Sequence, residues 1–96
     1  MDLKPMDVIL EIGAGRGEMT YLLCRRTAEV YALEIDRYLL GVLKEKLRGL
    51  KNIQIINQDI LKFNFNKHFA GLRAELKIFG NIPYYITTPI IERLID

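Results

Sequence analysis

Short apolar runs alternate with amphipathic stretches along this chain. Val8-Ile9-Leu10-Glu11-Ile12 is an apolar run that stops at a glycine cluster, the pattern of a buried parallel strand. From Glu18 to Arg26, Met19, Leu22 and Leu23 share one side of a predicted short helix. Val30-Tyr31-Ala32-Leu33-Glu34-Ile35 predicts a second strand. Leu40, Leu43, Leu47 and Leu50 then recur at spacings of three, four and three in a charged background, which is helical, with Gly49 placed to stop the helix. Ile53-Gln54-Ile55-Ile56 predicts a third strand, closed by Asn57-Gln58-Asp59. Residues 60–74 read as a loop with one helical turn, anchored by Phe63, Phe65 and Phe69. Leu76-Lys77-Ile78-Phe79 predicts a fourth strand ending at Gly80-Asn81. Thr88 as N-cap and Pro89 at the first helical position open a last helix, with Ile90, Ile91, Leu94 and Ile95 on one face.

This alternation implies an α/β fold, a doubly wound parallel sheet of about four strands in the order 3-2-1-4 with crossover helices. The length allows no more than one domain, residues 1–96 read as a single subdomain, and there is no internal repeat and no linker. The chain opens almost directly into its first strand and stops inside an apolar helix. Its fourth strand would be a sheet edge although its composition suits an interior position. The expectation is therefore part of a larger domain.

Composition narrows the class without naming a function. Half of the 96 residues are apolar and 27% are charged, which excludes a disordered or low-complexity chain. No apolar run approaches the roughly 18 residues of a membrane span, and Met1-Asp2-Leu3-Lys4-Pro5 lacks the apolar stretch of a secretory signal. The single cysteine, Cys24, allows no internal disulfide and no cysteine metal cluster, so a cytoplasmic protein without membrane contact or metal is expected. The net charge of +2 is too small to announce a nucleic-acid partner. Arg37, Lys44, Lys46, Arg48 and Lys51 stand against Glu45, read first as the solvated face of a helix and second as a phosphate-facing patch.

Three acidic positions follow the strand ends. The first strand runs into Glu11-Ile12-Gly13-Ala14-Gly15-Arg16-Gly17, where glycines let the backbone turn sharply and approach a ligand closely. The spacing is G-x-G-x-G, and Glu11 stands two places before the first glycine. A carboxylate there repels a pyrophosphate and disfavours a nicotinamide dehydrogenase. It suits a ligand with a positive end, such as the amino group and sulfonium of S-adenosylmethionine. Glu34, at the end of the second strand, can accept from both ribose hydroxyls of a nucleoside. Asp59, just beyond the third strand, can accept from an adenine amino group. All three belong to the strand ends where doubly wound folds bind ligands.

The fourth strand leads into Asn81-Ile82-Pro83-Tyr84. Proline fixes its own φ and restricts the residue before it, so the Ile82 carbonyl is held in place. That carbonyl and Asn81 Oδ1 can accept hydrogen bonds from one exocyclic amino group. The face of Tyr84 offers a stacking platform worth about 1–3 kcal/mol. Two acceptors on an adenine N6 favour a more tetrahedral nitrogen, its lone pair aimed at a sulfonium methyl. Positioning and electrostatics then carry the chemistry, with no general base needed before attack.

Glu11, Gly13, Gly15, Gly17, Glu34 and Asp59 together resemble the pattern of class I S-adenosylmethionine-dependent methyltransferases, which have a Rossmann-like fold. Asn81-Ile82-Pro83-Tyr84, followed by Ile86-Thr87-Thr88-Pro89, is similar to the ribosomal RNA adenine N6,N6-dimethyltransferase family, and the Thr-Thr-Pro run favours its small-subunit type. The likeness spans about Asp7 to Leu94. It implies that Glu11, Gly13, Ala14, Gly15 and Gly17 hold the methionine end of the cofactor. Glu34 would hold the ribose and Asp59 the adenine, with Ile35 and Ile60 packed on the adenine faces. Asn81 and Ile82 would contact the target amino group, Pro83 would stiffen the turn, Tyr84 would stack on the base, and Asn81 would also touch the cofactor. The implied reaction is two successive methyl transfers to N6 of adenosine in ribosomal RNA or a small-subunit precursor, with the target base extruded.

The family's N-terminal cofactor-closing motif, a downstream aromatic and the C-terminal RNA-binding domain have no counterpart in these 96 residues. The expectation is a fragment with weak or no turnover. A non-catalytic cofactor- or ribosome-binding module and an N6-adenine DNA methyltransferase stand as alternatives. His68 is expected on the solvated surface, and Cys24 in the core as a small apolar residue. Tyr21, Tyr31 and Tyr38 are expected in helix and strand packing, and Arg16 faces either a ligand carboxylate or solvent.

Overall fold

The computed structural model describes residues 3–80. In chain order it contains β1 (Val8–Ile12), α1 (Glu18–Arg26), β2 (Glu29–Leu33), α2 (Arg37–Lys46), β3 (Ile53–Ile56), a 3-10 turn (Ile60–Lys62), α3 (Phe65–Phe69) and β4 (Leu76–Gly80). The Asn81-Ile82-Pro83-Tyr84 turn and the predicted last helix lie outside the described residues. The strands form one parallel sheet in the order β3-β2-β1-β4, the topology expected from the alternation of elements.

Strand alternation sorts the core into two faces. Val8, Leu10 and Ile12 of β1 and Tyr31 and Leu33 of β2 point to one side, where Ile60, Phe63 and Phe65 cover them. Ile9 and Val30 point to the other side, under Leu23 and Cys24 of α1. Ala32 shares that side with Ala14, Leu43 and Leu47, so α2 covers the β2 end of it. At the sheet edge, Val8 N–H donates to Glu75 O at 3.0 Å and the Lys77 ammonium meets Asp7 at 2.8 Å. β4 is half-buried along its length and pairs with β1. Among the described residues no helix is long and apolar enough to cross a membrane.

Four sequence expectations are corrected. The buried stripe of α1 is Thr20, Leu23 and Cys24, whereas Met19 and Leu22 are 42% and 50% exposed. Leu23 and Cys24 are buried as expected, and Thr20 was missed because a hydroxyl reads as polar. Tyr21 and Tyr38 are exposed, and only Tyr31 of the three packs in the core. The loop before β4 holds both a 3-10 turn and α3. His68, expected in solvent, is half-buried and stacks on Phe63 with ring centroids 4.6 Å apart and planes 11° apart. An imidazole buries its ring faces while keeping a polar edge, and α3 turns it onto the aromatic cluster. The basic run behaves as a solvated face, with all five cations exposed and Arg48 bridging Glu45 at 2.9 Å.

Candidate functional site

The glycine loop after β1 takes its shape from left-handed backbone. Gly13, Gly15 and Gly17 have φ of +72°, +61° and +86°, a region that strains residues with a Cβ. At Gly17 a Cβ would also stand 2.8 Å from Leu43 Cδ2, so the bare backbone lets α2 lie against the start of α1. The Gly13 and Ala14 N–H groups donate to Leu33 O at 2.9 and 3.1 Å, which ties the loop to the end of β2. Ala14 is buried beneath Leu43 and Leu47 and serves packing as well as the loop.

Glu11 occupies the middle of the sheet, between Ala32 and Phe79 in register, and is 3% exposed. Its carboxyl accepts from the Thr20 hydroxyl of α1. Burial pushes the Glu11 carboxyl up to about 7; the Thr20 hydrogen bond opposes that shift and the Glu34 carboxylate adds to it. Glu11 borders a cavity of about 480 Å³ with the glycine loop, Arg16, Phe79 and Gly80. Arg16 is exposed at this cavity's edge. A buried carboxyl at the floor of a cleft is suited to a cationic group that replaces its lost hydration.

Glu34 lies directly beyond β2 and is 6% exposed. Its Oε1 accepts from Gly15 N–H at 2.7 Å and its Oε2 from Asp36 N–H at 3.0 Å, so it clamps the glycine loop to the start of α2. Each oxygen keeps a further lone pair for a hydroxyl donor. Asn57 holds the neighbouring loop, its Nδ2 donating to Glu34 O at 2.8 Å and Ile35 O at 3.2 Å. Asp59 is exposed, and its Oδ1 caps the 3-10 turn by accepting from Leu61 N–H at 3.0 Å. A second cavity of about 160 Å³ lies among Gly13, Ile35, Gln58, Asp59 and Ile60. Ile35 is 68% exposed beside it, and Ile60 is buried.

The predicted residues thus gather at one rim. Glu11, Gly13, Ala14, Gly15 and Gly17 border the larger cavity, Ile35, Asp59 and Ile60 the smaller, and Gly13 borders both. Glu34 joins them through its bond to Gly15. Asn81, Ile82, Pro83 and Tyr84 lie outside the described residues, but Gly80, which precedes them in the chain, borders the larger cavity. Thr20, Asn57 and Gln58 were missed. Thr20 stands nine residues from Glu11, a separation that becomes contact only once α1 folds over β1, and no local motif marks it. Cys24 is buried, and burial pushes its thiol up to about 11, with the Glu11 carboxylate adding to the shift, so it is a poor nucleophile at neutral pH.

The parallel sheet, the glycine turn after β1 and the acids beyond the next two strands define an α/β domain of the methyltransferase class. The ribosomal RNA adenine dimethylase family matches the chain over residues 1–96, and the chain belongs to that family. It is 38% identical over 97 residues to ribosomal RNA small subunit methyltransferase A of Alkaliphilus metalliredigens, covering 99% of this chain and 34% of that protein. It is 45% identical over 91 residues to the protein of the same name from Streptococcus equi subsp. zooepidemicus, covering 92% and 31%. Among solved structures, 23S rRNA methyltransferase ErmE aligns with a TM-score of 0.74 at 35% identity, covering 96% of this chain and 35% of that one. A dimethyladenosine transferase from Plasmodium falciparum aligns with a TM-score of 0.71 at 28% identity, covering 97% and 32%. The chain spans about a third of the length of the curated relatives it matches.

Proposed function

We propose that this chain carries the cofactor pocket and the target-base turn of an enzyme that methylates N6 of adenosine in small-subunit ribosomal RNA, with dimethyladenosine as product. The compartment that goes with this substrate is the cytoplasm. The observation that carries the reading is the pair of cavities that share Gly13, with buried Glu11 at one and Asp59 at the other. S-adenosylmethionine, when bound, supplies an electrophilic methyl group on its sulfonium.

The residues divide the ligand by chemistry. Glu11 offers a desolvated carboxyl to the ammonium end. Glu34 offers its remaining lone pairs to ribose hydroxyls. Asp59 accepts from the adenine amino group, between the apolar side chains of Ile35 and Ile60. Asn81 and the Ile82 carbonyl take the two hydrogens of the target amino group, and Tyr84 stacks on its base. Their work is orientation and electrostatics, which can lower a barrier by several kcal/mol without a covalent intermediate on the protein.

Calorimetric titration with S-adenosylmethionine tests the pocket, with Glu34→Ala and Asp59→Ala beside the parent. Each variant is expected to lose about 1–3 kcal/mol of binding, the cost of truncating one partner of a charge-assisted hydrogen bond. Both positions also hold backbone N–H groups, so circular dichroism must show the variants folded before their affinities are compared. Methyl transfer to unmethylated small-subunit particles, read as dimethyladenosine, tests the reaction. The 96-residue chain is expected to transfer weakly or not at all. Binding with no transfer therefore favours a non-catalytic cofactor-binding module only where a chain extended to the length of its relatives also fails to transfer. Preference for a nicotinamide dinucleotide would overturn the whole reading.

A further inference from the structure

Thr20 is wholly buried, and its hydroxyl donates to Glu11 Oε1. A threonine in a helix commonly returns its hydroxyl to the carbonyl one turn earlier. Thr27 does so at the end of α1, donating to Leu23 O at 2.7 Å. Thr20 instead reaches across the gap between helix and sheet. Strand alternation puts Glu11 on the side of β1 that also carries Ile9, the side that α1 covers. The in-register neighbours of Glu11, Ala32 and Phe79, have side chains that cannot donate a hydrogen bond. A glutamate has three side-chain torsions, so a donor that fixes its head removes several competing rotamers.

We propose that Thr20 is a positioning residue for ligand uptake, its hydroxyl orienting the Glu11 carboxylate toward the ammonium end of the bound ligand. The proposal rests on the reading of Glu11 given above. The groups around Glu11 divide by sign. Glu34, beyond β2, disfavours its ionisation. Cys24, lower on α1, stays a neutral thiol, and Arg16 of the glycine loop and Glu18 at the start of α1 border the same cavity with opposite charges. Thr20 acts against burial and against the Glu34 carboxylate, and its loss leaves both unopposed.

The test is binding of S-adenosylhomocysteine by calorimetry between about pH 5.5 and 8.5, which brackets a carboxyl titrating at about 7. The parent chain is compared with Thr20→Val, which keeps the volume and removes the donor, and with Thr20→Ser, which keeps the donor. The ligand's own titration is common to all three and cancels. Affinity is expected to rise with pH in the parent. Thr20→Val should move that rise upward by about one pH unit and weaken binding about fivefold at pH 7, while Thr20→Ser stays within about twofold of the parent. The ¹³C shift of the Glu11 carboxyl, followed in the unliganded chain, should show the same displacement. If Thr20→Val does not fold, Thr20→Ala serves in both measurements. An equal loss at every pH with an unmoved midpoint marks a packing role and overturns the proposal. So does a Thr20→Val profile that matches the parent. Failure of the parent to bind at any pH overturns the cofactor reading together with this one, which separates the two failures.

Discussion

At the scale of single residues, Glu11 binds stability and ligand recognition together with opposite signs. Its carboxyl sits at about 7 in the folded chain against an ordinary 4.5, because burial disfavours the charge. Between those two values the unfolded chain has released the proton and the folded chain has kept it. Glu11's contribution to stability is therefore complete below about pH 4.5 and is lost as pH rises through about 7. The loss is on the order of 3 kcal/mol if the whole shift is expressed. Glu11→Gln should flatten that stretch of the stability–pH curve and leave the chain more stable than the parent above pH 7, as urea unfolding at several pH values would show. The same substitution should weaken S-adenosylmethionine binding by about 1–3 kcal/mol, since it removes the charge that the ligand's ammonium meets. A variant that gains stability and loses affinity identifies a residue kept for binding. One that loses both identifies Glu11 as a structural carboxyl.

At the scale of elements, the strands were legible because each is a short apolar run closed by turn residues, and the glycine loop because glycines clustered after a strand permit a sharp turn. Glu11, Glu34 and Asp59 were singled out by their shared place near the strand ends taken together with the glycine loop, and the structure brings all three to one rim. What escaped was contact between elements. On the inward face of α1, Leu23 and Cys24 were legible as core residues, but Thr20 was hidden because its hydroxyl looks polar by hydropathy and its burial is decided by Glu11 beneath it. His68 and α3 escaped because a short helix is fixed by the aromatic cluster it covers and not by its own periodicity. Gly17 joins the two kinds of information. A sharp turn at this glycine was implied by the loop, but its φ of +86° and its fit under Leu43 were not. Gly17→Ala therefore adds a clash with α2 to the backbone strain, while Gly13→Ala and Gly15→Ala meet strain with open space or ordinary contact. Each should lower stability by about 1–2 kcal/mol, with Gly17→Ala the largest of the three. Denaturant midpoints at unchanged slope would give the ranking.

At the scale of the whole molecule, the sheet must hold β4 in register, because Phe79 and Gly80 wall the larger cavity and the chain passes from Gly80 into Asn81. The opposite end of that strand is fixed at Asp7. Its carboxylate meets the Lys77 ammonium at 2.8 Å and accepts from Lys4 N–H at 2.7 Å, and its carbonyl accepts from Ala28 N–H at 2.9 Å. One residue thus joins the segment before β1, the entry to β2 and the start of β4. The Lys77 ammonium and the Lys4 N–H hold the Asp7 carboxyl below the usual aspartate range. Such a group stabilises the fold above the ordinary value of 3.8, and the contribution is lost as pH falls through the lower folded value, the reverse of Glu11. Asp7→Asn should accordingly be less stable than the parent at pH 7, and the two unfolding curves should converge in strong acid, where the parent's carboxyl is neutral. Lys77→Met should be more damaging than Asp7→Asn at pH 7, because each variant strands one charge and Lys77→Met strands the more deeply buried of the two. The double variant should recover part of that loss. If register is what the pair protects, folded Asp7→Asn will also bind S-adenosylmethionine more weakly, although Asp7 lies at the far end of the strand from the cavity. Parent-like affinity in a less stable Asp7→Asn would confine the ion pair to stability and leave the position of Phe79 and Gly80 to the β1–β4 hydrogen bonds alone.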